Sequence, residues 1–193
     1  LLDPGDEVLC ADPSYVAYAP ATIMAGGGFV PVPTYASNDF RLLPEDVEAA
    51  ITPLTKAILL GYPSNPTGAT MGREDLAAIG EVAARHDLAV ISDELYDRMT
   101  YVGEHTCFAS LPGMRERTVL LGGFSKAYAM TGWRLGWVAA PAPLAEAIMK
   151  VHQYVMMSAP TAAQYAGIAA LDQGEEFVQE MVASSRMEVE QAR

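Results

Sequence analysis

Thr118 to Ala140 reads TVLLGGFSKAYAMTGWRLGWVAA. A short apolar run, Val119 to Leu121, passes through Gly122 and Gly123 to Ser125-Lys126, and Arg134 then opens a second apolar run. Short apolar runs bounded by glycine read as buried strands. A lysine on a small-residue loop between two such strands has few structural uses, because a buried ammonium is costly unless paired or chemically committed. Its amine is also the side chain best suited to forming an imine with a carbonyl compound. The stretch reads as an anchor, and the rest of the chain as what surrounds it.

Outward from that anchor, apolar runs and helical patterns alternate. Asp6–Ala11, Phe29–Pro33, Lys56–Gly61 and Leu88–Ser92 read as strands, the second suited to a sheet edge by its two prolines. Ser14–Ala25, Pro44–Ile51 and Arg73–His86 read as helices, the last with Leu76, Ile79 and Ala83 on one face. After Pro143 the pattern is helical, with Leu144, Ile148, Val151 and Val155 as one apolar face, and Thr161–Leu171 and Glu175–Val189 continue in the same mode. Alternation of this kind predicts an α/β fold with a mainly parallel sheet covered on both sides. The step from Leu121 to Leu135 has no clear crossover helix, so the last strand is expected to run antiparallel.

The totals narrow the class. The 193 residues, 51% apolar, suffice for one sizeable core. A formal charge of −12 argues against a nucleic-acid or anionic-membrane partner. No apolar run approaches the ~20 residues of a membrane span. Cys10 and Cys107 stand alone and are expected to be free thiols in a reducing compartment, which makes the cytoplasm the expected location. His86, His105 and His152 are scattered, and no metal site is expected.

The residues just past each apolar run carry the functional signal. The first run leads into Asp12-Pro13-Ser14-Tyr15, the third into Asn65-Pro66-Thr67-Gly68, the fourth into Asp93-Glu94-Leu95-Tyr96, and the fifth into Ser125-Lys126. In parallel α/β sheets, ligands bind outside the carboxyl ends of the strands. An aromatic, an amide, a carboxylate with a phenol, and an amine therefore meet at one rim, which suits a planar, heteroatom-rich ligand with a carbonyl for the lysine.

The ordered set PSY, NPTG, SDELY and SKAYAMTGWRLG resembles the class I/II, fold type I, pyridoxal 5′-phosphate aminotransferases, and the resemblance runs over essentially all 193 residues. It implies a three-layer α/β/α large domain over residues 1–193 that lacks an N-terminal segment and a C-terminal small domain, and is inactive alone. It implies Lys126 as the lysine joined to pyridoxal 5′-phosphate and as the proton carrier between substrate and cofactor. Asp93 corresponds to the carboxylate under the ring nitrogen; as bare sequence it reads equally as a helix N-cap. Tyr96 corresponds to the donor to the ring oxygen, or is a packing tyrosine. Asn65 corresponds to the amide at the same oxygen and the substrate carboxylate, although NPTG is also an ordinary turn. Tyr15 corresponds to the ring-stacking aromatic, with Tyr18 as its rival and a plain core role open to both. Arg134, with Ser125, corresponds to the phosphate grip. The resemblance further implies a cis peptide before Pro66, and before Pro13.

One position departs from the pattern: many family members carry serine or threonine three places before the lysine, where this chain has Gly123. The expected activity is amino-group transfer between an L-amino acid and a 2-oxo acid by a homodimer. A carbon–sulfur β-lyase, or a sensor domain of a transcription regulator, uses the same cofactor-binding residues and stays open from the motifs alone.

Overall fold

A computed structural model describes residues 1–191. Its strands are β1 (Glu7–Asp12), β2 (Gly28–Pro33), β3 (Thr55–Gly61), β4 (Ala89–Asp93), β5 (Thr118–Gly123) and β6 (Gly136–Ala139). They form one six-stranded sheet in the order β2-β1-β3-β4-β5-β6. Every neighbouring pair is parallel except β5–β6, which is antiparallel as the missing crossover helix predicts. Pro31 and Pro33 fall on the edge strand β2, where a missing N–H on the outer side breaks no ladder bond.

The helices are α1 (Tyr18–Met24), α2 (Pro44–Ala50), α3 (Arg73–Arg85), α4 (Ala142–Val155), α5 (Thr161–Gln173) and α6 (Glu175–Gln191). The helix expected from Ser14 starts only at Tyr18. The Tyr15 carbonyl accepts the Tyr18 N–H at 3.0 Å, so the chain closes one turn before it winds. Between β4 and β5 the chain runs through two single 3-10 turns, Asp97–Met99 and Phe108–Ser110.

Side-chain alternation splits the strands between two cores. Leu9, Ala11, Ile58, Leu60 and Val90 face Val47 of α2 and Leu76, Ile79, Val82 and Ala83 of α3. Val8, Cys10, Ala57 and Leu59 face the other way, with Tyr18 and Phe29 packed on them. Because both faces are covered, the strands read as continuous apolar runs. Full burial of a side chain such as Ile58 or Leu60 contributes about 1.5–3 kcal/mol. The apolar face of α4 has a different fate: Val151 and Val155 stand exposed, and no residue of this helix is buried among the described residues.

Candidate active site

The strand order makes the crevice. From β1 the chain goes outward to β2, whereas β3 lies on the other side of β1 and leads to β4 and β5. Ligand crevices form where the order reverses in this way. The registers then place the strand ends side by side: Cys10 is level with Leu59, Gly61 with Asp93, and Asp93 with Leu121. The loops carrying Tyr15, Asn65, Tyr96 and Lys126 accordingly leave from one rim.

Asp93, the last residue of β4, is held on both oxygens. Its Oδ1 accepts the Leu95 N–H at 3.1 Å, and its Oδ2 accepts the Tyr18 hydroxyl at 2.8 Å. Tyr18 thus crosses from the start of α1, over β3, to reach β4. It can do so because position 61 is glycine: a Cβ there would lie 2.5 Å from the Tyr18 hydroxyl oxygen and 3.2 Å from its ring. Burial, and then the charge of Asp93, push the Tyr18 phenol far above its ordinary value, so it stays a proton donor. Tyr15 stands edge-on to the Tyr18 ring, centroids 5.5 Å apart at 80°, with its own ring partly open to solvent. Of the two rival aromatics, Tyr18 is committed to the carboxylate and Tyr15 is left with a free face.

Lys126 is half-buried, and its Nζ lies 5.6 Å from the centre of the Tyr96 ring, within cation–π range. The loop after it is tied to itself. Phe124 N–H donates to the Leu135 carbonyl at 3.3 Å, the Thr131 hydroxyl to the Ser125 carbonyl at 2.8 Å, and Arg134 Nη1 to the Thr131 carbonyl at 2.9 Å. Ser125 and Arg134 are therefore brought to the same turn. Arg134 is exposed and adopts a left-handed backbone, φ 52°, which a side-chain-bearing residue rarely takes. The departure at Gly123 has a steric cause: a Cβ would lie 2.9 Å from the Leu95 side chain and 3.2 Å from the Gly136 Cα. Neither serine nor threonine fits there without a shift.

Asn65 sits exposed on a loop closed by Ser64 N–H to the Ala69 carbonyl and Gly68 N–H to the Ser64 carbonyl, both 2.8 Å. The peptides before Pro13 and Pro66 are cis, as is one not anticipated, before Pro63. Asn65 and Tyr96 share a cleft of about 1160 Å³ with Arg41, Met99, Tyr101 and Arg186. Among the described residues no hydrogen bond links Lys126 to Asp93 or Arg134; the three are gathered by backbone, each with its own partners.

Three pairings escape the sequence reading. Tyr18 bonds a carboxylate 75 positions away, a pairing that no local spacing encodes. Glu94 is buried at 7% exposure, and its Oε2 lies 2.7 Å from His105 Nε2. His86, also unassigned, lies 2.6 Å from Glu48. Both cysteines are free, and burial pushes the Cys10 thiol up to about 12.

The profile of the family described as "Aminotransferase class I and II" matches residues 1–193. YugH of Bacillus subtilis (strain 168), named as an aminotransferase, is 50% identical over 186 residues, which are 96% of this chain and 48% of that protein. The aspartate aminotransferase of Pyrococcus abyssi is 47% identical over 171 residues, 88% of this chain and 44% of its own. The crystal structure of the aromatic aminotransferase from Pyrococcus horikoshii OT3 superposes with a TM-score of 0.93 at 43% identity, covering 99% of this chain and 51% of that one. The chain spans about half the length of the curated relatives it matches. With the parallel sheet, its antiparallel last pair and the four loops at one rim in hand, the family match over every residue is decisive: the chain belongs to the class I and II aminotransferases, a family that works with pyridoxal 5′-phosphate.

Proposed function

We propose that this chain holds pyridoxal 5′-phosphate and moves an amino group between an L-amino acid and a 2-oxo acid. It would do so as the large-domain part of an enzyme about twice its length that works as a cytoplasmic homodimer. One observation carries the reading: a half-buried amine over a phenol ring, and a carboxylate held by two donors, stand at the carboxyl rim of adjacent parallel strands. The donor set fits the cofactor, with Lys126 for the carbonyl, Asp93 for the ring nitrogen, Tyr96 and Asn65 for the ring oxygen, and Ser125 and Arg134 for the phosphate. Two free thiols suit a reducing compartment, and among the described residues no helix is long and apolar enough to cross a membrane.

Bound there, the cofactor supplies a carbonyl for imine formation and an electron-withdrawing ring. The chain's residues do the rest. Asp93 would stand against the ring nitrogen and favour its protonated form, its two oxygens oriented by the Tyr18 hydroxyl and the Leu95 N–H. Lys126 Nζ would hold the cofactor's carbonyl carbon, and its free amine would take a proton from the substrate α-carbon and return it to the cofactor. Tyr15 would offer its free face to the ring. Arg134 offers a planar fork to the phosphate, and Ser125 a hydroxyl. Asn65, on the cleft side of the rim, holds the substrate carboxylate.

Borohydride trapping tests the anchor. Reduction of the protein loaded with pyridoxal 5′-phosphate should fix the cofactor on the peptide containing Lys126, and Lys126→Ala should take up no covalent label. Label on Lys56 or Lys150 instead would overturn the assignment.

A further inference from the structure

Glu94 is a buried carboxylate to which the proposed chemistry gives no part. Its Oε1 accepts the Ser92 hydroxyl and the Phe108 N–H, each at 2.9 Å, and its Oε2 meets His105 Nε2 at 2.7 Å. Burial pushes the carboxyl up, but the bonds from His105, Phe108 and Ser92 outweigh it and hold Glu94 below its ordinary value. A group so fully bonded is not waiting for a ligand. What matters is where its partners come from. Ser92 belongs to β4, whereas His105 and Phe108 belong to the segment that returns toward β5 after the loop has gone out and back.

Tyr96 lies at the root of the loop so closed. Asp97 N–H donates to the Glu94 carbonyl at 3.0 Å, and Met99 N–H to the Tyr96 carbonyl at 2.8 Å. Those two local bonds form a single turn, and its other ties, Arg98 to Glu175 and Arg186 Nη2 to the Tyr101 carbonyl, are made by exposed side chains, so the turn opens at little cost unless its far end is pinned. The ring it carries lies under the Lys126 amine. Met99, Tyr101 and Val102, further along the same loop, wall the cleft. A clamp that fixes the far end of this loop therefore also fixes the ring and the wall.

We propose that Glu94 and His105 are positioning residues for Tyr96: by pinning the 105–108 segment to the end of β4, they hold the Tyr96 ring in register with the Lys126 amine. The inference rests on the aminotransferase reading of the rim and adds to it a pair that touches neither cofactor nor substrate. Donors at a reacting centre work only when held by a second layer of bonds, and here that layer is one buried carboxylate and one imidazole.

The test uses the full chain with and without pyridoxal 5′-phosphate, in His105→Ala, His105→Gln, Tyr96→Phe and the His105→Ala/Tyr96→Phe double variant. Without cofactor, His105→Ala should exchange its 97–107 amides about tenfold faster than wild type, with the sheet strands unchanged. With cofactor, the Tyr96 hydroxyl favours the form in which the ring oxygen is charged. Its loosening in His105→Ala should raise the pH midpoint of the visible absorption by about one unit, and His105→Gln, which keeps a donor for Glu94, should restore most of it. The decisive comparison is the double variant: His105→Ala should shift nothing further once Tyr96 is phenylalanine. Unchanged amide exchange, or an additive shift in the double variant, overturns the positioning role while leaving cofactor binding standing. A wild-type chain that takes up no pyridoxal phosphate overturns the functional reading, and this inference with it.

Discussion

Gly61 is a tight point of the site. Its missing side chain lets the Tyr18 hydroxyl pass at a distance that a Cβ would reduce to 2.5 Å, and Asp93 gets its second donor that way. Gly61→Ala should therefore cost about 1–3 kcal/mol by overpacking. Tyr18→Phe should cost about 1.5–3 kcal/mol, as the loss of a hydrogen bond to a charged group. The two should not add, because phenylalanine removes the oxygen that the alanine methyl strikes; urea unfolding of the double variant checks this, and strict additivity would refute the contact. Arg134 invites a second substitution. Its left-handed backbone costs about 1–2 kcal/mol for a residue with a side chain. Arg134→Gly should then unfold no more easily than Arg134→Ala, while both lose about 1.5–3 kcal/mol of cofactor affinity measured by equilibrium dialysis. At this scale the rim was legible, since Lys126, Asp93, Asn65 and Tyr96 each come just after an apolar run. The Tyr18–Asp93 bond was not, because its partners meet only after β1, β3 and β4 have aligned. The glycine at 123 shows both sides: the departure is visible in the sequence, its cause only beside Leu95 and Gly136.

Elements with strong periodicity were legible almost to the residue. β3 and α3 run Thr55–Gly61 and Arg73–Arg85, where apolar runs and helical spacing place them. The antiparallel β6 could be inferred from the shortness of the step before it. What stayed hidden was the stretch between β4 and β5, because its order comes from side-chain bonds between distant positions rather than from any repeat. Glu94 bonds donors 11 and 14 positions away, and two 3-10 turns replace the helix that a parallel crossover usually carries. Its one buried carboxylate gives the element a pH signature. Glu94 titrates, when folded, below its ordinary value of 4.5, so its charged form stabilises the fold. Its contribution is complete above that ordinary value and is lost as the pH falls through the lower folded value. Glu94→Gln should lower stability by about 1–3 kcal/mol at neutral pH and flatten the loss of stability in acid. Urea midpoints measured from neutral pH down into the acid range check both. A variant with the wild-type acid slope would assign that slope to other carboxylates.

On the scale of the whole molecule, two properties pull against each other. A formal charge of −12 on 193 residues repels one copy from another. Against it stands apolar surface concentrated in the last third of the chain: Tyr154 is 85% exposed and Met157 82%, with Val151, Val155, Tyr165 and Ile168 close by in sequence. β6 adds an edge, with Trp137 and Val138 about half exposed and β5 as its one partner in the sheet. Apolar patches and open strand edges of this kind are association surfaces. The composition showed the charge, but periodicity alone did not show that the stripe on α4 would be left uncovered, since an amphipathic pattern reads the same whether or not something packs on it. The 193-residue chain should therefore sediment above its monomer mass of 20.6 kDa, and increasingly so with concentration. Salt separates the two forces: at about 1 M ionic strength the screening length falls to roughly 3 Å, repulsion drops out and the apolar contact remains, so association should strengthen. Val151→Glu with Tyr154→Glu should weaken it at both salt levels without moving the unfolding midpoint, because neither side chain is buried. A chain that stays monomeric in high salt at every concentration would show that this surface, however apolar, does not bind its own kind.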